Sequence, residues 1–331
     1  MKAAIAGGAY RIERQFAAGM EPVIRQIVRA ALETSRLSLA DIEMVVTVAS
    51  DTLDGMMVPV RAELAGALGK NYLNVPSSAG HALSAAAAAI EAGDAKSVLV
   101  VGWGAASKLA HADGRANQFD PFYMRPVGAT PELIAALQER VLASSGVLTE
   151  DDIASFEARM ANIAREDAQG DALGAHGFCD GVAAIVLRRA ADETSGAIIA
   201  DHATASRSHN PLDGSFDPAG WVREALTGFA SARPKKPLSQ GFIEVSGPTS
   251  WAELRGIAGA VEAGYVDCSA ASANSTGGGA AAWFGPATGI RALARLHGRM
   301  DRTTPDRGLF VDLAGPLGQH VTGMLIERSG A

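Results

Sequence analysis

At 331 residues, with 48% hydrophobic and 20% charged side chains, the chain is long enough to bury a large core, as one α/β domain or as two. A formal charge of −7 and the lack of any dense Lys/Arg cluster exclude a phosphate-tracking surface, so no nucleic-acid partner is expected. Two cysteines, Cys179 and Cys268, in no metal-like spacing suggest neither a disulfide framework nor a zinc site, and a reducing, cytoplasmic setting is expected; no run reaches the roughly 18 uncharged apolar residues of a membrane span.

In chain order, KAAIAGGAY reads as a strand, too short in its apolar run for a signal-peptide core and meeting charge at Arg11. MEPVIRQIVRAALETS follows with Ile and Val at helical spacing. DIEMVVTVAS predicts a strand, VRAELAGALG a helix, NYLNVPSS a strand, GHALSAAAAAIEAG a helix and SVLVVGWG a fourth strand. The rhythm then breaks over residues 105–178, polar in SKLAHADGRANQFDP and helical in TPELIAALQERVLASS and TEDDIASFEARMANIARED, as expected of an inserted cap. CDGVAAIVLRR supplies a further strand.

The second half repeats the first. GAIIADHATA answers KAAIAGGAY, WVREALTGFA answers the first helix, and PLSQGFIEVSGPTSWAELRGIAGAV answers SLADIEMVVTVASDTLDGMMVPVRAELAGAL. GYVDCSAAS answers NYLNVPSSA, GLFVDLAGPLG answers SVLVVGWGAAS, and VTGMLIER closes the chain. Two such halves, 1–192 with the cap and 193–331, imply a pseudo-twofold α/β protein whose site lies at their junction, beside the strand-to-helix turns.

The order and spacing of several segments resemble the thiolase superfamily, in particular the sterol carrier protein type acetyl-CoA acetyltransferases. Val75-Pro76-Ser77-Ser78-Ala79-Gly80 stands where that family has Cys-Ala-Ser-Gly before a small-residue helix. FCDGVAAIVLRR resembles its "cDGAaAvvl" strand, Asn274-Ser275-Thr276-Gly277-Gly278-Gly279 its Asn-Pro-Ser-Gly-Gly turn, GPATGIRALARL its "HPLGATG" helix and GPLGQHVTGMLIER its last hairpin. The resemblance implies a five-layered α-β-α-β-α fold from two duplicated halves. It further implies a coenzyme A thioester as substrate with no other cofactor, and a homodimer paired through the first half's sheet edge. A heteromeric partner subunit is the alternative assembly.

The family's chemistry needs a cysteine nucleophile, an activating histidine, a second cysteine and oxyanion donors. With Gly80 on the family glycine, Ser77 falls on the nucleophile position. No histidine stands in Ala282-Trp283-Phe284-Gly285-Pro286, Ser246 replaces the oxyanion-binding Asn or His, and no cysteine lies between Gly308 and Arg328. Ordinary thiolysis is therefore not expected. His81, four residues after Ser77, makes a candidate dyad with it, against the reading that Ser77 and Ser78 cap the helix. His320 is a candidate acid/base in the closing loop. Ser78, Ser246, Asn274 and Gly278 are candidate substrate contacts, Asn274 and the glycines alternatively forming only a tight turn. Tyr123 and Met124, with Phe119 and Phe122, line either an acyl path or a plug between cap and core. Cys268 is a candidate displaced nucleophile or a packed thiol; Cys179 is expected to be structural.

Overall fold

β1 (Ala3–Glu13) joins the two halves of the sheet: it pairs along its length with β5 (Asp180–Arg189), and only through Ala3, Ala4 and Ile5 with β6 (Ala197–Ser206). The structure, a computed structural model, describes residues 1–50, 57–107, 122–166, 179–192, 197–207, 217–229, 237–239, 242–267, 273–279, 281–300, 307–315 and 318–328.

Between β1 and β5 come α1 (Met20–Ser35), β2 (Met44–Val48), α2 (Val58–Leu64), β3 (Asn71–Asn74), α3 (Ala79–Ala92), β4 (Ser97–Ala105), α4 (Pro131–Ser144) and α5 (Glu150–Glu166). After β6 come α6 (Pro218–Thr227), β7 (Leu238–Ser239), β8 (Phe242–Ser246), α7 (Ser250–Glu262), β9 (Val266–Asp267), α8 (Thr288–Met300), β10 (Arg307–Ala314) and β11 (His320–Arg328). The nine-stranded sheet has the order β3-β2-β4-β5-β1-β6-β11-β10-β8, so the strands outward from β6 repeat those outward from β1. The junction register carries the same relation: Ala3 faces Ile199, Ala4 faces Ile198 and Ile5 faces Ala197. Beyond Ile5 and Ile199 the two strands part. The second half departs from the first at its end, since β9 pairs with the two-residue β7 and not with β8.

α1 buries Val23, Ile24, Ile27, Val28, Ala31 and Leu32 on one stripe against the first half-sheet, the 3.6-residue period of an outer helix. α6 and α7 cover the second half-sheet on the opposite side, pinned together where Arg255 meets both Asp217 carboxylate oxygens at 2.8 and 2.7 Å. α3 and α8 lie between, each touching strands of both half-sheets and each other. The layers are thus α, β, α, β, α. A helix between two sheets buries nearly every face, which explains why α3 is built of Ala, Gly and Ser. Glycine is required where the layers come closest: a Cβ on Gly80 would stand 2.5 Å from Thr322 Cβ, and one on Gly289 2.3 Å from Asp312 Oδ1.

The inserted cap crosses to the other half. Leu142, Leu148, Phe156 and Met160, from α4, α5 and the turn between them, join the outer cluster of the second half with Trp251 and Leu254 of α7. Among the described residues no helix is long and apolar enough to cross a membrane.

Candidate functional site

The strand-to-helix turn after β3 splits its two serines. Ser77 is exposed, and among the described residues its hydroxyl has no hydrogen-bond partner. Ser78 is fully buried in extended conformation as the N-cap of α3, where its Oγ accepts the His81 N–H at 3.1 Å. That is the capping geometry Ser favours, because it satisfies one of the orphan N–H groups of a helix start. The Ser78 hydroxyl in turn donates to Asp312 Oδ2 at 3.1 Å, and the Gly80 N–H donates to the same oxygen at 2.8 Å.

Asp312 lies on β10, 2% exposed, and takes a third hydrogen bond from Ser246 at the end of β8. The start of α8 closes on it too: the Ala79 N–H donates to the Pro286 carbonyl at 3.1 Å, and Gly289 packs against the carboxylate. A carboxylate at helix starts is electrostatically favoured. Burial outweighs this, raising the Asp312 pKa to about 6 against the three hydrogen bonds that pull it down. Directly across the β10–β11 ladder is Thr322, whose buried Oγ1 has no hydrogen-bond partner among the described residues. Ser78, Ser246, Asp312 and Thr322 therefore form one buried polar centre at the junction of the halves. It can exchange a proton near neutral pH and offers one unused hydroxyl.

Asp312 and Thr322 are absent from the sequence-derived candidates. The available signal was a lone acid inside GLFVDLAG and a lone hydroxyl inside VTGMLIE, polar residues in strands that read as buried runs.

His81 and His320 come together with ring centroids 5.6 Å apart in an edge-on arrangement. His320 Nδ1 is 3.1 Å from Ser206 Oγ, and His81 Nε2 is buried with no hydrogen-bond partner among the described residues. Burial, then the neighbouring His320, holds the His81 pKa below its ordinary value. The aromatic partner of His81 is thus His320.

Asn274, at φ 49, is fully buried: its Oδ1 accepts the Val245 N–H at 2.6 Å, and its Nδ2 donates to Val245 O at 2.8 Å and Glu253 Oε2 at 2.9 Å. Glu253 Oε1 accepts the N–H groups of Gly247 and Gly279 at 2.9 and 2.6 Å, and Glu244 those of Thr276 and Gly278 at 2.7 and 3.3 Å. Gly278, at φ 53, could carry no Cβ, which would fall 2.4 Å from Asn274 Nδ2. Two buried glutamates thereby fix this turn beside Ser246, and the side-chain amide of Asn274 is engaged in holding it.

On the cap, Tyr123 and Phe122 are 80% and 79% exposed while Met124 packs on Ala129 and Ile134. Phe119 and Cys268 lie outside the described residues. Burial raises the Cys179 thiol to about 12, so it is inert at neutral pH. Among the described residues no three His, Cys, Asp or Glu side chains are grouped to hold a metal ion. A cavity of about 830 Å3 follows the open edge of β1 past Gly8, Tyr10, Glu13 and Gln26 to Ala294, lined by none of the four polar residues at the centre.

No protein-family model matches this chain. No curated protein sequence matches it either. Among solved structures, its fold is similar to that of the Acat5 thiolase from Ascaris suum in complex with coenzyme A, 15% identical in sequence, with a TM-score of 0.71 over 99% of this chain and 100% of that one. The chain folds as a thiolase-like α/β protein, with the nine-stranded sheet and the two central helices placing Ser78, Ser246 and Asp312 at one junction.

Proposed function

We propose that the chain binds acyl-CoA thioesters as a divergent, sterol carrier protein type relative of thiolases that has lost the Cys, His and Cys catalytic set, and ordinary thiolysis with it. The observation that carries this reading is the occupancy of the α3 start. The Gly80 N–H and the Ser78 hydroxyl are both given to Asp312, where acyl transfer needs donors free for a developing oxyanion. The residue at the expected nucleophile position is the exposed Ser77, whose hydroxyl is hardly ionised at neutral pH.

In this reading Ser77 is a weak nucleophile or oxyanion donor, with His81 or His320 as base. Ser78, Ser246, Asn274 and Gly278 form the inner wall, and Tyr123 and Met124 lie on the cap side of the acyl path. The halves divide at 192/193. A homodimer forms through β3, the outermost strand, where Tyr72 and Leu73 are 43% and 37% exposed. Titration with acetyl-CoA is expected to show binding, while acetoacetyl-CoA thiolysis stays negligible, also in Ser77→Cys. Robust turnover by either protein overturns the reading.

One observation favours a second reading, an aldolase-type subunit of a heteromeric complex with an acyl-CoA-binding partner. Asp312, raised to about 6, is an acid/base poised near neutrality that needs no thiol beside it. It takes the hydroxyl proton of a β-hydroxyacyl thioester as the Cβ–O bond becomes a carbonyl and the Cα–Cβ pair passes into the thioester enolate, to which the proton is then returned at Cα. Cleavage of such a thioester, lost in Asp312→Asn, supports this reading. Binding without cleavage, with or without the partner, leaves the first.

A further inference from the structure

A second constellation lies further along α3, away from its N-cap. Ser84 Oγ is 2.6 Å from Nδ1 of His202 on β6, and His202 Nε2 is 3.4 Å from Glu91 Oε2, two helical turns beyond Ser84 on the same face of α3. Lys2 Nζ stands 3.6 Å from the other Glu91 oxygen. An ionised carboxylate only accepts, so the proton shared with Glu91 sits on His202 Nε2 and leaves Nδ1 as acceptor of the Ser84 O–H. Nucleophile, base and orienting carboxylate thus follow in sequence, with the base in the tautomer that takes a proton from the serine.

Two further facts separate this from ordinary packing. A serine inside a helix usually bonds back to the carbonyl four residues earlier, whereas Ser84 turns off its helix to a short bond with another element. The duplication also supplies a control. The counterpart of His202 on β1 is Gly8, whose neighbour on α8 is Ala294, so the first half has no imidazole at the matching place. His202 and Glu91 keep 15% and 26% of their side-chain surface open, while Ser84 beneath them is 9% exposed, so solvent meets the group on its His202 and Glu91 side.

We propose that Ser84 is a second, His202-activated nucleophile that accepts short acyl groups from thioesters or activated esters. Ser84 Oγ bonds to the acyl carbonyl carbon while the carbon–sulfur or carbon–oxygen bond breaks. The serine proton passes to His202 Nδ1 and on to the departing thiolate or alkoxide. The flank of a helix has its N–H groups tied into its own ladder and gives no oxyanion cradle, so the product is an accumulating acyl-serine with little turnover.

The test is incubation of the full chain with p-nitrophenyl acetate and, separately, a fluorophosphonate, followed by peptide mapping by mass spectrometry. An adduct on Ser84, lost in Ser84→Ala and at least tenfold slower in His202→Gln, supports the proposal. An adduct on Ser77 or Ser78 in place of Ser84 overturns it while leaving the acyl-CoA reading standing. No adduct on the folded protein overturns it too. Should Ser84→Ala fail to fold, Ser84→Cys keeps the size: its alkylation by iodoacetamide is expected to fall severalfold when His202 is also replaced by Gln, and alkylation indifferent to His202 overturns the proposal.

Discussion

α3 and α8 occupy matching places between the two half-sheets, and Gly80 and Gly289 mark the same point on each, where the layers touch. From that shared origin the helices differ. α3 carries His81 and Ser84 where α8 carries Ile290 and Leu293, both fully buried, and Ser78 caps α3 where Ala287 precedes α8. At the places of His81 and Ser84 the central layer accepts apolar side chains, as Ile290 and Leu293 show, so packing alone does not call for polar residues at these two positions of α3. α8 buries its polar side chains elsewhere along its length, at Thr288, Arg291 and His297, and presses on Asp312 through Gly289. The strands differ as well: His202 stands on β6 where β1 has Gly8, and it is β1 whose edge borders a cavity.

The comparison breaks most visibly at its two glycines. Gly80→Ala forces a methyl between Thr322 and Asp312 and Gly289→Ala one between Asp312 and Ala79, and chemical denaturation is expected to show a loss of about 3 kcal/mol for each. Free tolerance of both would mean that the central layer is not shared as tightly as described.

Asp312 gives a nearly equal effect that depends on pH. Its carboxyl titrates at 3.8 in the unfolded reference and at about 6 when folded, so between these values the folded protein holds a proton the unfolded chain has lost. Its contribution to stability is therefore highest below the lower value and declines as pH rises to the upper one. Asp312→Asn removes that decline: the variant is expected to gain on the parent by up to about 3 kcal/mol between pH 4 and pH 7, measured by urea unfolding at each pH. A pH-independent difference would place the titration elsewhere.

Thr322→Val sharpens the contrast between a filled and a waiting site. Removing a buried hydroxyl without a partner is expected to raise stability by about 1 kcal/mol in the ligand-free protein and to weaken acetyl-CoA binding, read by thermal melting with and without the thioester. The smallest effect belongs to His81. Burial keeps it neutral in the fold while the unfolded chain protonates near 6.5, so stability falls as pH drops through that value. His81→Gln is expected to flatten the decline in melting temperature over that range. Its counterpart position, Ile290, has nothing to titrate.

The residues of the strand-to-helix turns were legible because turns impose local demands. Ser78 could be read as a cap from its place before GHALSAAAAAIEAG, and the glycines of 277–279 as positive-φ or close-approach positions from their clustering. The alternation of strands and helices was legible for the same reason, since periodicity is a property of neighbouring residues. Asp312 was not, because its three donors, Ser78, Gly80 and Ser246, arrive from two other segments of the chain, the one that holds Ser78 and Gly80 more than 200 positions away. The cap was readable as an insertion. Its docking on α7 was not, since an amphipathic helix shows which face it buries but not against what.

Composition, period and duplication by themselves determined that this chain builds two sheet-and-helix halves, with small residues along the enclosed α3, because those features follow from local geometry and from the volume between layers. Only the tertiary structure decided which serine turns inward, which carboxylate receives the start of α3, and which histidines meet, because those choices depend on distances between segments far apart in sequence. The burial that makes an acid or an imidazole chemically distinctive is likewise a property of the whole folded chain.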